Sequence, residues 1–329
     1  MKTESSLKEA LKLVCETEVD RICVSIRQSL RALRKQGLIV ALSGGIDSSV
    51  TAAICVKAVG PKRVFGIHMP DKDSSADTLS LSRSISDHFG FESTLEEITP
   101  QLQAAGCYER QADSIRKVLP EYGEGWKIKI SLQSSVSGKG MNFYNIVAQS
   151  PDGETIAKRL GGEAYLGIVA ATNFKQRIRK MMEYYHADRL NYAVSGTPNR
   201  LEFDQGFFVK LGDGAADIKP IAHLYKTQVY ELADFLGVPE QVRQRPPTTD
   251  TYSLPQGQDE FYFALPYDQM DICLYGKNHG YEASVVAQCL EIDEEQVERV
   301  FQDIDQKRST TTYLHAKPHL VEPVEQISV

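Results

Sequence analysis

The sequence predicts an α/β fold: a doubly wound parallel sheet flanked by helices, with a β-hairpin insertion. Three observations predict it. The short apolar runs Leu38–Leu42 and Val64–Met69 have the composition of strands buried on both faces. Stretches of helical periodicity lie between such runs, so strand and helix alternate as parallel crossover connections require. The runs ending at Leu42 and Val194 also pass directly into small, hydroxyl-rich turns, as strand ends do where open α/β sheets meet ligands.

In chain order, Leu7, Leu11, Val14, Ile22, Ile26, Leu30 and Leu33 recur roughly at helical spacing. They predict one long helix or two over 5–36, with Arg31, Arg34 and Lys35 near its C-terminal end and Gly37 as its stop. The strand Leu38–Leu42 follows. Ser43-Gly44-Gly45 makes a turn and Asp47-Ser48-Ser49 opens a helix predicted through Val59. Two glycines let a ligand approach the backbone, and a helix N-terminus points its free amides at an anion. Ser43, Ser48 and Ser49 add hydroxyl donors, and Asp47 a carboxylate suited to a magnesium–phosphate complex. The lysine of a Gly-Lys-Ser/Thr phosphate loop is missing.

Gly60-Pro61 turns the chain into the strand Val64–Met69, and Pro70–Ser75 forms a loop at its C-terminal end. Ser74 and Ser75 read equally as ligand contacts or as helix caps. A helix to Phe89 and a strand near Ser93–Ile98 complete the first half. Trp126, Ile128, Ile130 and Leu132 then alternate with polar residues, Ser134–Gly140 is turn-rich and Phe143–Val147 reads as a returning strand. Residues 120–150 are therefore a hairpin excursion, either surface decoration or a flap over the site. From Asn173 the pattern is helical again, with Ile178, Met181, Met182 and Tyr185 as its apolar face and Arg177 and Arg179 pointing in different directions. Leu190–Val194 reads as another buried strand, followed by Ser195-Gly196-Thr197-Pro198-Asn199 and the acid Glu202. In Lys210–Lys226, Asp213 and Asp217 flank small residues and two lysines offset phosphate charge. His223, alone in this stretch, is read as structural.

Composition narrows the class. The chain has 329 residues and a net charge of −7 with no basic stripe, which argues against nucleic acid as partner. It shows no signal peptide and no run of eighteen apolar residues, so no membrane partner and a cytoplasmic location are expected. Its six cysteines stand singly, without a Cys-x-x-Cys pair, as expected of reduced core thiols.

SGGIDSS resembles the SGGxDS signature of the ATP pyrophosphatase (PP-loop) superfamily, which cleaves ATP between the α and β phosphates. NFKQRIRK, GTPNRLEFDQGFFVKLGDGAADIKPIAHLYKTQ, and PTTD followed by PQGQDE narrow the resemblance to the NAD synthase family, over about residues 10 to 310. That resemblance implies a single domain over 1–329 of the adenine nucleotide alpha hydrolase-like fold. The insertion at about 120–150 exceeds what the family's short bacterial members carry, and the tail from about 309, with Pro318 and Pro323, reads either as flexible or as folding over the site. The resemblance implies ATP-dependent amidation of nicotinic acid adenine dinucleotide (deamido-NAD) with ammonia, giving NAD, AMP and pyrophosphate through an acyl adenylate. A related amide synthase acting on a different carboxylate is the alternative.

The resemblance also implies site residues. Ser43, Gly44, Gly45, Asp47, Ser48, Thr197, Lys226 and Thr248 would hold ATP, and Asp47 and Glu202 magnesium. Arg177, Lys210, Asp217 and Lys307 would bind deamido-NAD. Asp47, Lys210, Asp217 and Lys226 would be the catalytic set. From the chemistry itself, ammonium must lose a proton before it attacks, and Asp217 or Asp213 is the carboxylate expected to help. Lys307 lies in Asp305-Gln306-Lys307-Arg308, where the family's His-Lys-Arg element has its lysine; the histidine does not carry over. The family places its dinucleotide at a two-fold interface, so a homodimer is expected. The nucleotide loop begins too early for a glutaminase domain to precede it, so ammonia is expected as free substrate or from a separate chain.

Overall fold

The computed structural model describes residues 4–133, 143–248, 251–257, 262–263, 265–322 and 324. The turn expected over 134–140, and 249–250 and 258–260 of the motifs quoted above, lie outside the described residues.

The first half runs α1 (Glu4–Ala10), α2 (Cys15–Ala32), β1 (Leu38–Ala41), α3 (Ile46–Val59), β2 (Val64–His68), α4 (Ala76–Phe89), β3 (Glu92–Leu95), α5 (Thr99–Ala104) and α6 (Cys107–Arg116). Then come β4 (Lys127–Gln133), β5 (Phe143–Gln149), β6 (Thr155–Arg159), α7 (Gly162–Leu190), β7 (Ala193–Ser195) and α8 (Arg200–Gln205). Five helices close the order: α9 (Lys226–Phe235), α10 (Glu240–Arg243), α11 (Tyr267–Asn278), α12 (Ala283–Leu290) and α13 (Glu294–His315).

The central sheet is parallel, in the order β3-β2-β1-β7. Alternation along β1 shows why its sequence is apolar throughout. Leu38 and Val40 join a cluster with α2, α3 and α9, while Ile39 joins a second with Phe65, Ile67, Leu102 and α7. Both faces are covered, as a parallel strand requires. From β1 the chain steps outward to β2 and β3, and β7 returns on β1's other side. The crevice between the C-terminal ends of β1 and β7 is thus the switch point, where open α/β sheets bind ligands.

Several expected boundaries move. Leu190 ends α7 instead of opening a strand, because Asn191 takes a left-handed conformation (φ 53°) and its N–H caps Ala187 and Asp188 carbonyls. The helix expected from Asn173 begins eleven residues earlier, at Gly162. Its first turns pack on the insertion through Ala164 and Ile168, which blurs the single apolar stripe. The strand expected over 93–98 shortens to Glu92–Leu95. The excursion is a three-stranded antiparallel sheet, β4-β5-β6, extending to Arg159. The tail from 309, expected either to be flexible or to fold over the site, is helical as far as His315, because α13 opens on a capping box at Asp293 and continues unbroken. Among the described residues no helix is long and apolar enough to cross a membrane.

Candidate active site

The turn after β1 takes its shape from Gly44, whose φ is +71° and where a Cβ would meet the Thr78 carbonyl at 2.9 Å and Leu81 Cβ at 3.0 Å. Gly44 therefore seats the loop on α4 and is not among the cavity-lining residues. Gly44→Ala is expected to destabilise the fold by about 1–2 kcal/mol, read as a lower urea midpoint at unchanged slope.

Gly45 is the N-cap of α3 and brings no side chain to the first-turn amides, which are left available to an anion. Ser43 and Ser48 hydroxyls lie 3.1 Å apart at the same mouth. Ser49, expected to add a third donor, is buried and gives its hydroxyl to the Gly45 carbonyl (2.8 Å).

Asp47 projects from this first turn and forms an ion pair with Lys226, which is 1% exposed and stands at the first position of α9. The other Asp47 oxygen accepts from Asn199 Nδ2 (3.1 Å). Asn199 in turn opens α8 in a capping box with Glu202: Asn199 Oδ1 accepts from Glu202 N–H (3.2 Å), and Glu202 Oε2 from Asn199 N–H (3.1 Å). One short stretch thus caps a helix and aims a carboxylate at the loop. Burial, then the charge of Asp47, pushes the Glu202 carboxyl up to about 8, with Lys226 pulling the other way. For Lys226 burial works against the ammonium, but the charges of Asp47 and Glu202 outweigh it and hold its pKa above the ordinary value.

Asp47, Glu202 and Lys226 line a cavity of about 860 Å³, towards the upper end for small-molecule sites. Its wall includes Ser43, Gly45, Ser48, Thr197 and Thr248. Arg177, Lys210 and Lys307 line it as well. Lys210 donates to the carbonyls of Tyr313 (2.6 Å) and Ala316 (3.2 Å), tying down the end of α13. Lys307 donates to the Tyr262 carbonyl (2.6 Å) and pairs with Asp303 (2.6 Å), and burial lowers its pKa despite that partner. Tyr144 of the insertion stacks on Tyr165 (4.3 Å) and both line the cavity, so the excursion supplies part of its wall.

Asp217 is the exception. It is exposed, lies outside the cavity wall, and accepts from Val194 N–H (2.7 Å) and Tyr184 hydroxyl (3.3 Å), fixing the end of the sheet. Of the residues the resemblance implies for the site, Asp217 thus stands apart from those that line the cavity of the single chain. Asp213 does line the cavity, and burial raises its carboxyl pKa. His223 pairs with Glu18 (2.6 Å), in keeping with a structural role.

Sequence reasoning passed over the residues beneath these groups. Asp271, fully buried on α11, accepts from the N–H groups of Lys226 (3.2 Å) and Thr227 (2.7 Å) and so anchors the start of α9. Lys175, 1% exposed, bridges Asp71 (3.2 Å) and Asp73 (2.7 Å), and Arg179 also holds Asp71 (2.9 Å). Lys180 and Glu183 form a buried pair (2.6 Å) in the cavity wall. Local sequence offered one usable signal, the Asn-x-x-Glu of the α8 capping box. The others arise only from long-range packing.

The chain is similar to known proteins in sequence and in fold. The NAD synthase family model matches residues 18–119 and 147–311. The NH(3)-dependent NAD(+) synthetase of Rhizobium meliloti is 56% identical over 319 residues, which is 97% of this chain and 96% of that one. Among solved structures, the NMN synthetase of Francisella tularensis aligns over 94% of this chain and 99% of its own, with a TM-score of 0.65 at 19% identity. The NH3-dependent NAD synthetase of Campylobacter jejuni, in complex with nitrate, aligns over 94% and 100%, with a TM-score of 0.61 at 20% identity. The two structures share the fold, and the matched sequence carries the kinship: this chain belongs to the NAD synthase family.

Proposed function

We infer that the chain is an ammonia-dependent NAD synthase, amidating nicotinic acid adenine dinucleotide with ammonia while ATP becomes AMP and pyrophosphate. The observation that carries this reading is the convergence of Asp47, Glu202 and Lys226 on the uncapped start of α3, in the wall of a large cavity. A carboxylate has no useful leaving group, so ammonia cannot displace oxide from it. The acid must first attack the α-phosphorus of ATP, giving an acyl adenylate and releasing pyrophosphate. Ammonia then adds to the acyl carbon and AMP departs.

The chain's residues suit these steps by charge and position. Ser43, Gly45, Ser48 and the first α3 amides would hold the phosphates, with Thr197 and Thr248 beside them. Lys226 would offset charge on the departing pyrophosphate. Asp47 and Glu202 would hold magnesium; the donor set suits it, since both are carboxylates lining one cavity, joined through Asn199, which donates to each. When bound, magnesium supplies charge neutralisation on the phosphate oxygens. Arg177, Lys210 and Lys307 would receive the deamido dinucleotide. Asp213 replaces Asp217 as the group accepting a proton from ammonium; unchanged ammonium dependence in Asp213→Asn would remove it from that role.

A homodimer and a cytoplasmic setting belong to the same reading. Asp217 lies outside the cavity, and Met181 and Tyr185 expose apolar surface one helical turn apart on α7, as a face meeting a second copy would. Full activity from a monomer in sedimentation equilibrium would remove the dimer. All six cysteines are free thiols, the state a reducing compartment maintains.

The deciding experiment is pyrophosphate release with ATP, magnesium and ammonium, with and without the deamido dinucleotide. Release that depends on the dinucleotide, with NAD appearing in step, is expected. Release that ignores it would send the search to other carboxylic acids.

A further inference from the structure

His68, the last residue of β2, is 2% exposed and belongs to the cavity wall. Its Nδ1 lies 2.8 Å from the Ser82 hydroxyl, and that hydroxyl lies 3.0 Å from the Leu79 carbonyl. A hydroxyl has one proton. A carbonyl can only accept, so Ser82 gives its proton to Leu79 and accepts from His68 Nδ1–H. This fixes the tautomer and leaves Nε2 as a bare lone pair. Burial, with a smaller contribution from the charge of Arg83, lowers the imidazole pKa to about 4, so the ring is neutral near pH 7. Nε2 is buried and has no partner among the described residues, and an acceptor left unmatched there is costly.

The wall around it has a particular character. Leu42, Met69 and Leu79 give this arm apolar sides, while Thr78 and Ser82 belong to α4. Leu42 N–H bonds the Ile67 carbonyl (2.9 Å), so His68 lies one strand across from the residue that precedes the Ser43-Gly44-Gly45 turn. Apolar sides of this kind suit the faces of a flat heterocycle, and its phosphates would then lie towards the turn.

Resting on the reading of ATP as co-substrate, we propose that His68 is a specificity-determining residue that accepts a hydrogen bond from the exocyclic amino group of the nucleotide base. Six-amino purines supply that donor. A six-oxo purine presents a carbonyl to the same lone pair and is repelled. Ser82 acts through His68, as the positioning residue that holds its tautomer.

The test is equilibrium binding to the whole chain, with magnesium, of α,β-methylene-ATP and of its analogue carrying hydrogen in place of the six-amino group. The wild type is expected to bind the amino form on the order of 10- to 100-fold tighter, the range set by one unmatched buried acceptor. His68→Phe is expected to bind both at the weaker level, and Ser82→Ala to narrow the ratio. Equal binding of both nucleotides by the wild type would overturn the inference, as would an equal loss for both in His68→Phe. The wild-type ratio decides the matter even where a variant fails to fold. Selective binding without NAD formation would keep the inference and remove the NAD reading; no binding of either nucleotide would remove both.

Discussion

Replacing Lys226 with methionine is expected to lower dinucleotide-dependent pyrophosphate release by about 10²–10³-fold, the loss typical of removing one preorganised charge from a reacting centre. The ammonium is 1% exposed, so water cannot take its place. It also holds two carboxylates, Asp47 directly and Glu202 through its field. Methionine keeps the chain's length but leaves that pair uncompensated, which is expected to cost about 3–5 kcal/mol of stability. The two effects separate by measurement. Denaturant unfolding reports the stability loss, and single-turnover pyrophosphate release below the unfolding midpoint reports the chemistry. Lys226→Arg keeps the charge and should recover stability better than rate, because a planar guanidinium does not reproduce the lysine's point contact. A Lys226→Met enzyme that is folded and turns over normally would remove the residue from the mechanism.

Asp271→Ala is the second large effect, and it acts without touching the cavity. The change strips acceptors from two N–H groups at the start of α9 and is expected to destabilise the protein by about 3 kcal/mol, since bonds to charged groups are the strong ones. Activity should fall with it, because the same turn carries Lys226. Burial raises the Asp271 carboxyl to about 6, above its unfolded value. The native state therefore binds more protons than the unfolded state between about pH 4 and pH 6, and stability from this group falls as pH rises through that window, then stays level. Asp271→Asn removes that dependence. Its stability is expected to gain about 1 kcal/mol less than the wild type's between pH 7.5 and pH 5, which urea titrations at the two values would show. Identical profiles would mean that Asp271 does not titrate in this range.

The central sheet and the nucleotide turn were legible because their signals are local. An apolar run, two glycines and a serine-rich helix start lie within a dozen residues, and the structure puts them where the pattern says. Glu202 and Lys226 were legible as charges suited to a magnesium–phosphate site and through family resemblance, and the structure sets Lys226 in an ion pair with Asp47 and Glu202 in its field. What stayed hidden depended on distant partners. Asp271 reads as an ordinary helix acid until α11 docks beneath α9, and Lys175 as a solvated lysine until Asp71 and Asp73 fold over it. Leu190 was misread because Leu, Tyr, Ala and Val suit the end of a buried helix as well as a strand. The roles offered to Asp217 came from family resemblance and from the chemistry required, and neither tells which side of a glycine-rich turn a carboxylate leaves from.

The ion pair between Asp47 and Lys226 has a consequence for how the enzyme comes into being. Its members are 179 residues apart in the chain, and everything from β2 to β7 must be threaded between them. Closing so long a loop is an expensive and late event. An emerging or refolding chain can build β1, α3 and β2 from neighbouring sequence, yet it has no counter-charge for Asp47 until the far segment docks. Recovery of pyrophosphate-releasing activity after dilution from denaturant is thus expected to lag behind the return of far-ultraviolet ellipticity, by the time the second half takes to find the first.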